Sequence, residues 1–473
     1  MNDDLSQQIL DFVKAATGGT AQAEVVAQRQ ALALTRFANS YIHQNVAEAT
    51  TRVRLRLHVD GRTAAGTTTL TEPGALRDLV DRTVAAARLC PPDKGWPGLT
   101  APVGALTAGT VDEAIVAATP ADRAARVRAF VAAAGGLTTA GYCRTRHTTV
   151  TFANSAGQSV DGASADVALD GIARTASSDG VARRAGSRLS DVDGSVLGAR
   201  AAAKALAGVD PTELPPGRYE VVLEPTAVHD VLRCLAVYGF NGKAVGERRS
   251  FAAIGEAQMD PSVTLVDDPV FPGAIGLPFD VEGTPKRRLE FVSAGVTSAV
   301  AHDRRTAAEA GTSSTGHASQ DGHFGPIPIN LRLAPSTADA ESTADSQRPS
   351  GTGGAGPSEV DGPAADSSVA ALVAGVARGV LVTDHWYTRV LDPRTLVMTG
   401  LTRNGVWLIE DGQVVRPVRN LRFTQSYPQA LAPGAVLGIG DHAVPLPSTY
   451  EDSSFIAPPL RLASWNFTGG ASG

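Results

Sequence analysis

Residues Glu224 to Gly242, EPTAVHDVLRCLAVYGFNG, gather a histidine, an aspartate, an arginine, a cysteine and a tyrosine within one predicted helix that a glycine closes. Val228, Val231, Leu232 and Leu235 fall at i, i+3, i+4 and i+7 and form a core-facing stripe. At about 100° per residue, His229 and Arg233 then share the other face, one turn apart. Two ligand-type side chains at that spacing bind a metal well, but a guanidinium has no lone pair to give. Cys234 and Tyr238 flank the stripe. As a zinc site this helix fails.

Two further groups have chemical potential. In GTSSTGHASQDGHFGPIPIN (Gly311 to Asn330), His317, Asp321 and His323 could meet on a metal in a folded loop, or stand solvated as ordinary loop residues. Asp267, Asp268, Asp280 and Glu282 lie among glycines and prolines, where paired carboxylates either do acid/base work, bind hard cations or cap turns. GTGGAG (Gly351 to Gly356) satisfies GxGxxG formally, yet no strand precedes it and no helix follows. There is no GxxxxGKS/T, GxSxG, HExxH or EF-hand loop.

The elements that must position these residues can be read along a chain of 473 residues, long enough for two domains. Hydrophobic residues make up 43% and charged residues 19%, as in globular proteins. The net charge of −6 and the lack of a basic stripe with interleaved aromatics argue against a nucleic-acid partner. Cys90, Cys143 and Cys234 are far apart with no CxxC, so neither a disulfide framework nor a cysteine zinc cluster is indicated. MNDDLSQQILDFVKAA reads as an amphipathic helix and not a signal peptide, and no apolar run approaches the roughly 20 residues that span a bilayer. A cytoplasmic location and no membrane partner are expected.

Ala23–Arg29 and Leu32–Phe37 read as separate strands, followed by a long hairpin in which Val53, Leu55, Leu57 and Val59 alternate with Arg52, Arg54, Arg56 and His58. Asp60-Gly61 supplies its turn. Helices are expected over 72–89, from Thr119-Pro120 to Ala134, and over 193–207, with strands between 142 and 187. Residues 209–217 (VDPTELPPG) form an extended linker. The expected fold is α+β: an N-terminal α/β domain with a mostly antiparallel sheet (1–208) and a β-rich C-terminal domain (218–473). Residues 334–368 collapse into Ser, Thr, Ala, Asp, Gly and Pro and read as a disordered insertion. Beyond them come strands and hairpins, with turns expected at Arg403-Asn404-Gly405 and Glu410-Asp411-Gly412.

FNGKAVGERRSFAAIGE (Phe240 to Glu256), SVTLVDDPVFPGAIGLPFDVEGTPKRRLEFVSAGV (Ser262 to Val296), DRRTAAEAGTSSTGHAS (Asp303 to Ser319) and PIPINL (Pro326 to Leu331) resemble the TldD/PmbA family of modulators and peptidases. RFANSYIHQNV (Arg36 to Val46) and GVWLIEDGQVVRPVRNLRFTQ (Gly405 to Gln425) extend the resemblance over nearly the whole chain apart from the insertion. It implies a cytoplasmic two-subunit zinc metallopeptidase acting on unfolded peptides, whose catalytic subunit carries HExxxH after a strand and a later cysteine ligand. Laid on that motif without gaps, Arg233 takes the place of the first histidine, Cys234 the glutamate and Tyr238 the second histidine, and no cysteine follows Cys234. The resemblance therefore implies a PmbA/TldE-like, non-catalytic subunit with no cofactor of its own, paired with a TldD-like zinc-bearing chain. His229, Arg233 and Tyr238, at the place of the degenerate motif, are its candidate substrate-binding residues. An independent hydrolase built on His317, Asp321, His323 and the Asp267 cluster, or a scaffold for maturation, are the alternatives.

Overall fold

The computed structural model describes residues 3–104, 106, 111–269, 271, 273–320, 322–336, 366–447 and 453–470. Its first half is built on six strands, β1 (Gln22–Ala38), β2 (Tyr41–Val59), β3 (Arg62–Thr68), β4 (Thr138–Asn154), β5 (Ser159–Arg174) and β6 (Asp179–Gly186). They pair in the order β3-β2-β1-β4-β5-β6, antiparallel throughout. Asp60 and Gly61 both take positive φ, as a two-residue turn matched to strand twist requires. The two strands expected over 23–37 are one. Pairing with β2 on one side and β4 on the other keeps the chain extended through Gln30 and Ala31.

Among the described residues, the α-helices of this half are α1 (Asp3–Thr17), α2 (Pro73–Leu89), α3 (Glu113–Val116), α4 (Pro120–Ala133) and α5 (Gly194–Ala207). Thr119 and Asp122 close a reciprocal capping box at the start of α4, and Asp193 caps α5. Helices α1 and α2 bury Ile9, Val13, Leu76 and Val80 against Val25, Ala27, Leu55 and Leu57. Helices α4 and α5 bury Val127, Phe130, Leu197 and Ala201 against Phe37, Val167 and Leu169. Because side chains alternate along a strand, Val26 and Gln28 of β1 point to the opposite face. On that face Val150, Phe152 and Val160 meet Phe279 and Leu277 from the second half.

The second half holds β7 (Gly217–Leu223), α6 (Pro225–Cys234), α7 (Gly242–Gly246), β8 (Leu265–Asp267), β9 (Leu289–Ser293), β10 (Val296–Thr297), α8 (Arg304–Glu309) and β11 (Leu331–Leu333). After residue 365 come α9 (Ser367–Ala374), β12 (Arg378–Asp392), β13 (Val397–Glu410), β14 (Gln413–Pro417), β15 (Leu421–Ser426), α10 (Tyr427–Ala430), β16 (Val436–Ile439), β17 (Val444–Pro445), β18 (Ile456–Ala457) and β19 (Leu460–Gly470). Strands β12-β7-β19-β15-β13 pair in that order, and β13 pairs again with β12, so this sheet closes on itself. Leu223, Met398, Leu408, Phe423 and Trp465 belong to one buried cluster with Val228, Val231 and Leu232 of α6. A second sheet runs β10-β9-β8-β11-β18-β17. The chain is thus α+β, with an antiparallel N-terminal sheet and a β-rich C-terminal half.

Three local expectations change. The helix over 224–242 is α-helical only to Cys234. Residues Leu235–Gly239 form a π turn closed by the Phe240 N–H donating to the Leu235 carbonyl, and Asn241 then caps α7. Arg403-Asn404-Gly405 makes no hairpin, because β13 runs straight through it. Asn404 at φ 58° and Gly405 at φ 131° instead accompany a register shift opposite Val382 and Asp384, a bulge. The ends of the predicted disordered insertion are ordered: the Ala334 N–H donates to Thr264, and Asp366 caps α9. Residues 337–365, including the GTGGAG stretch, lie outside the described residues.

Candidate functional site

Strand β7 delivers the chain straight into α6. Glu224 stands at its N-cap with an extended backbone, and Pro225 takes the first turn, where its missing N–H costs nothing. The Glu224 side chain turns inward instead of capping. It is paired with the buried Lys204 ammonium, lies 3.4 Å from Arg200 and accepts from Thr383 Oγ1 at 3.2 Å. Burial pulls Lys204 down to about 8, against the pull of Glu224 in the other direction. This network anchors the start of α6 to α5 and β12.

One turn on, the Arg233 Nη2 donates to Asp230 Oδ1 at 2.8 Å, and Tyr427 Oη donates to Asp230 Oδ2 at 2.9 Å. Burial alone would raise the Asp230 carboxyl; Arg233 and His385 more than offset it, so the carboxyl lies below its usual range. His229 packs edge-on against Phe455, with ring centroids 5.3 Å apart, and its Nε2 has no hydrogen-bond partner. Burial pulls its imidazole down to about 4, so it is neutral at physiological pH.

A cavity of about 490 Å³ opens beside the π turn. Arg233, Val237 and Tyr238 line it together with Val26, Gln28 and Val150 of the N-terminal sheet, and Phe279, Ile327 and Phe455 add apolar surface. An i→i+5 turn is wider than an α turn, and it lets Tyr238 share the cavity face with Arg233 five residues earlier. Of the three residues singled out on this helix, the structure brings Arg233 and Tyr238 to the cavity. His229 is not among its lining residues but touches Phe455, which is.

The loop and acidic candidates separate. His317 lines the cavity; its Nε2 faces Asp267 Oδ2 at 3.6 Å, and its Nδ1 is 2.8 Å from Thr315 Oγ1. His323 lies against Phe324, and its carbonyl accepts from Lys243 Nζ at 2.7 Å. Asp321 falls outside the described residues. Asp280 lines the cavity, with its oxygens accepting from the N–H groups of Glu282, Thr284 and Ala318 at 2.9–3.0 Å. Burial and the nearby Glu282 push Asp280 up to about 7. Glu282 instead joins Arg56 (2.7 Å) and Arg304 (3.0 Å), which both also bind Glu24 at 2.5 Å. Asp268 is 3.8 Å from Arg288. Among the described residues no three His, Cys, Asp or Glu side chains are grouped as metal ligands.

The side chains at the β7–α6 junction do not fit a zinc ion. Arg233 is spent on Asp230 and offers no lone pair, and Cys234 is fully buried with its thiol pushed well above its usual range by burial and by Asp230. A thiol ligand must be a thiolate.

Residues 216–469 match the family model for the PmbA/TldA metallopeptidase C-terminal domain. The chain belongs to the PmbA/TldD family. Its fold is similar to that of TldE from Thermococcus kodakarensis, with a TM-score of 0.81 at 17% identity over 98% of this chain and 99% of that one. It is also similar to a proposed modulator of a DNA gyrase from Thermotoga maritima (TM-score 0.77, 16% identity, 98% and 100% covered). Another, from Bacteroides thetaiotaomicron, gives a TM-score of 0.79 at 18% identity, with 99% of each chain covered. At such identities the likeness is one of fold. No curated protein matches the chain. In this member of the PmbA/TldD family, sequence reasoning singled out Arg233 and Tyr238, which line the cavity, but not the lining residues from the N-terminal sheet and Phe455. Val26 and Val150 carry no local signal beyond strand alternation, and Phe455 lies over 200 residues from α6 in sequence. No described helix is long and apolar enough to cross a membrane.

Proposed function

We propose that this chain is a PmbA/TldE-like subunit, without a zinc site of its own, of a cytoplasmic two-chain metallopeptidase. It pairs with a zinc-bearing TldD-like chain and helps to hold an unfolded peptide for cleavage by that partner. The observation that carries this reading is the strand–helix junction itself. Where the family's catalytic chains are expected to place ligands, this chain has an arginine bound to Asp230, a buried cysteine and a tyrosine on the wall of a largely apolar cavity. Backbone hydrogen bonds to an extended segment would let such a subunit accept many peptide sequences.

The test mixes the purified chain with a zinc-bearing TldD-like partner and follows complex mass, zinc content and cleavage of an unfolded peptide. A complex that cleaves faster than the partner alone, with zinc only in the partner, is the expected result. Peptidase activity of this chain alone, with stoichiometric zinc lost on changing His317 and His323 to alanine, would replace this reading with an independent hydrolase. A partner that cleaves equally well without this chain would reduce it to a scaffold.

A further inference from the structure

The cavity beside the π turn has a composition that narrows what can fill it. Its volume of about 490 Å³ lies within the ordinary range of ligand sites. Val26, Val150, Val237, Phe279, Ile327 and Phe455 face it, so water held there has few partners.

Several polar lining groups are already directed elsewhere. Asp280 is satisfied by three backbone N–H groups, and Gln28 accepts from Gln320 at 3.2 Å. Arg233 is bound to Asp230, and the two ring nitrogens of His317 face Thr315 and Asp267. A carboxylate placed in this cavity would give up its hydration against a mostly apolar lining, with Lys286 and the Asp230-bound Arg233 as the cations beside it. An apolar group would lose nothing and would gain the hydrophobic term.

We propose that this cavity takes the apolar side chain, aromatic or branched aliphatic, of one residue in an extended peptide whose main chain crosses the rim at Arg233 and Tyr238. The inference rests on the subunit reading above and adds a side-chain preference to it. Because the walls come from both halves of the chain, an occupied cavity also ties the N-terminal sheet to α6. The preference is for burial without charge, and it requires no metal.

Calorimetric titration of the full chain with blocked pentapeptides, Gly-Gly-X-Gly-Gly with X as Phe, Leu, Ala or Asp, tests this. The Phe and Leu peptides should bind about ten- to a hundredfold tighter than the Ala peptide, and the Asp peptide should bind more weakly than the Phe peptide. A negative heat-capacity change should accompany binding. Val237→Trp and Val26→Phe, which fill the space from different halves of the chain, should each abolish the preference, and a folding defect in one leaves the other to report. Equal affinity for the Phe and Asp peptides, or a preference that survives both substitutions, would overturn the proposal. Phenylalanine amide binding as tightly as the Phe peptide would assign the cavity to a free small molecule and overturn the peptide assignment. Loss of the preference, with partner activity still raised by this chain, leaves the subunit reading standing. Intact preference without that stimulation overturns the subunit reading alone.

Discussion

Replacing Glu282 by glutamine removes one charge from a buried ring that joins the two halves of the chain. Arg56 and Glu24 come from the N-terminal sheet and Arg304 from the start of α8, and Glu282 receives Arg56 Nη2 at 2.7 Å, Arg304 Nε at 3.0 Å and the Arg304 N–H at 3.0 Å. Its residue is 3% exposed, so solvent screens little of this. Breaking a buried pair by neutralising one member costs about 3–5 kcal/mol. Glutamine keeps the shape and can still accept from the backbone, which places the expected loss near the lower end, about 3 kcal/mol. With a urea slope of roughly 3 kcal/mol per molar, the unfolding midpoint should fall by about 1 M at pH 7. Burial alone would raise the Glu282 carboxyl, but Arg56 and Arg304 outweigh it and hold the group below its usual range. A carboxyl with a depressed folded-state pKa stabilises above its unfolded pKa and loses that contribution as pH falls through the folded value. The gap between wild type and Glu282→Gln should therefore narrow on acidification below about pH 4. A loss under about 1 kcal/mol at pH 7, or a gap that widens in acid, would refute the assignment of the ring as a clamp.

His229→Phe should flatten the acid limb of the stability profile. A histidine drawn down to about 4 costs stability as pH falls from about 6.5 through that value, because only the unfolded chain takes up the proton, and urea midpoints from pH 7 to 4 would show the change. In Tyr427→Phe the buried Asp230 Oδ2 loses its donor, and stability should drop by about 1–3 kcal/mol in chemical denaturation. Gly283→Ala should cost about 2–4 kcal/mol. Gly283 sits at φ 68°, and a Cβ there would lie 2.3 Å from the Phe152 ring, so the thermal midpoint and the contact between the halves should both suffer.

Much of the fold was legible because its signals are local. Alternation of Val53, Leu55, Leu57 and Val59 with charged neighbours marks a half-buried strand, Asp60-Gly61 its turn, and Thr119-Pro120 a helix start. The misread elements are those in which a pairing partner decides. Gln30 and Ala31 look like a break until β2 and β4 bond to either side of them, and Asn404-Gly405 looks like a hairpin turn until β12 continues past it as a bulge. At the site, helical spacing put His229 and Arg233 on one face, but nothing within α6 announces Phe455, Val26 or Val150. Asp267 and Asp280 find partners at His317 and Ala318, about 50 and 38 residues on in the sequence. Such meetings depend on the packing of the halves and leave no trace in spacing.

The π turn at Leu235–Gly239 bears on how this chain is lined up with its relatives. A loop of helix closed from i to i+5 holds one residue more than a loop closed from i to i+4. Beside a relative whose helix is α throughout, positions up to Cys234 correspond one to one, and positions beyond Gly239 correspond only after a single-residue gap. Arg233 and Cys234 keep their counterparts under either bookkeeping of the helix. Tyr238 would shift by one place beside such a relative, whereas beside a relative that shares the π turn it keeps the ungapped counterpart on which the subunit reading draws.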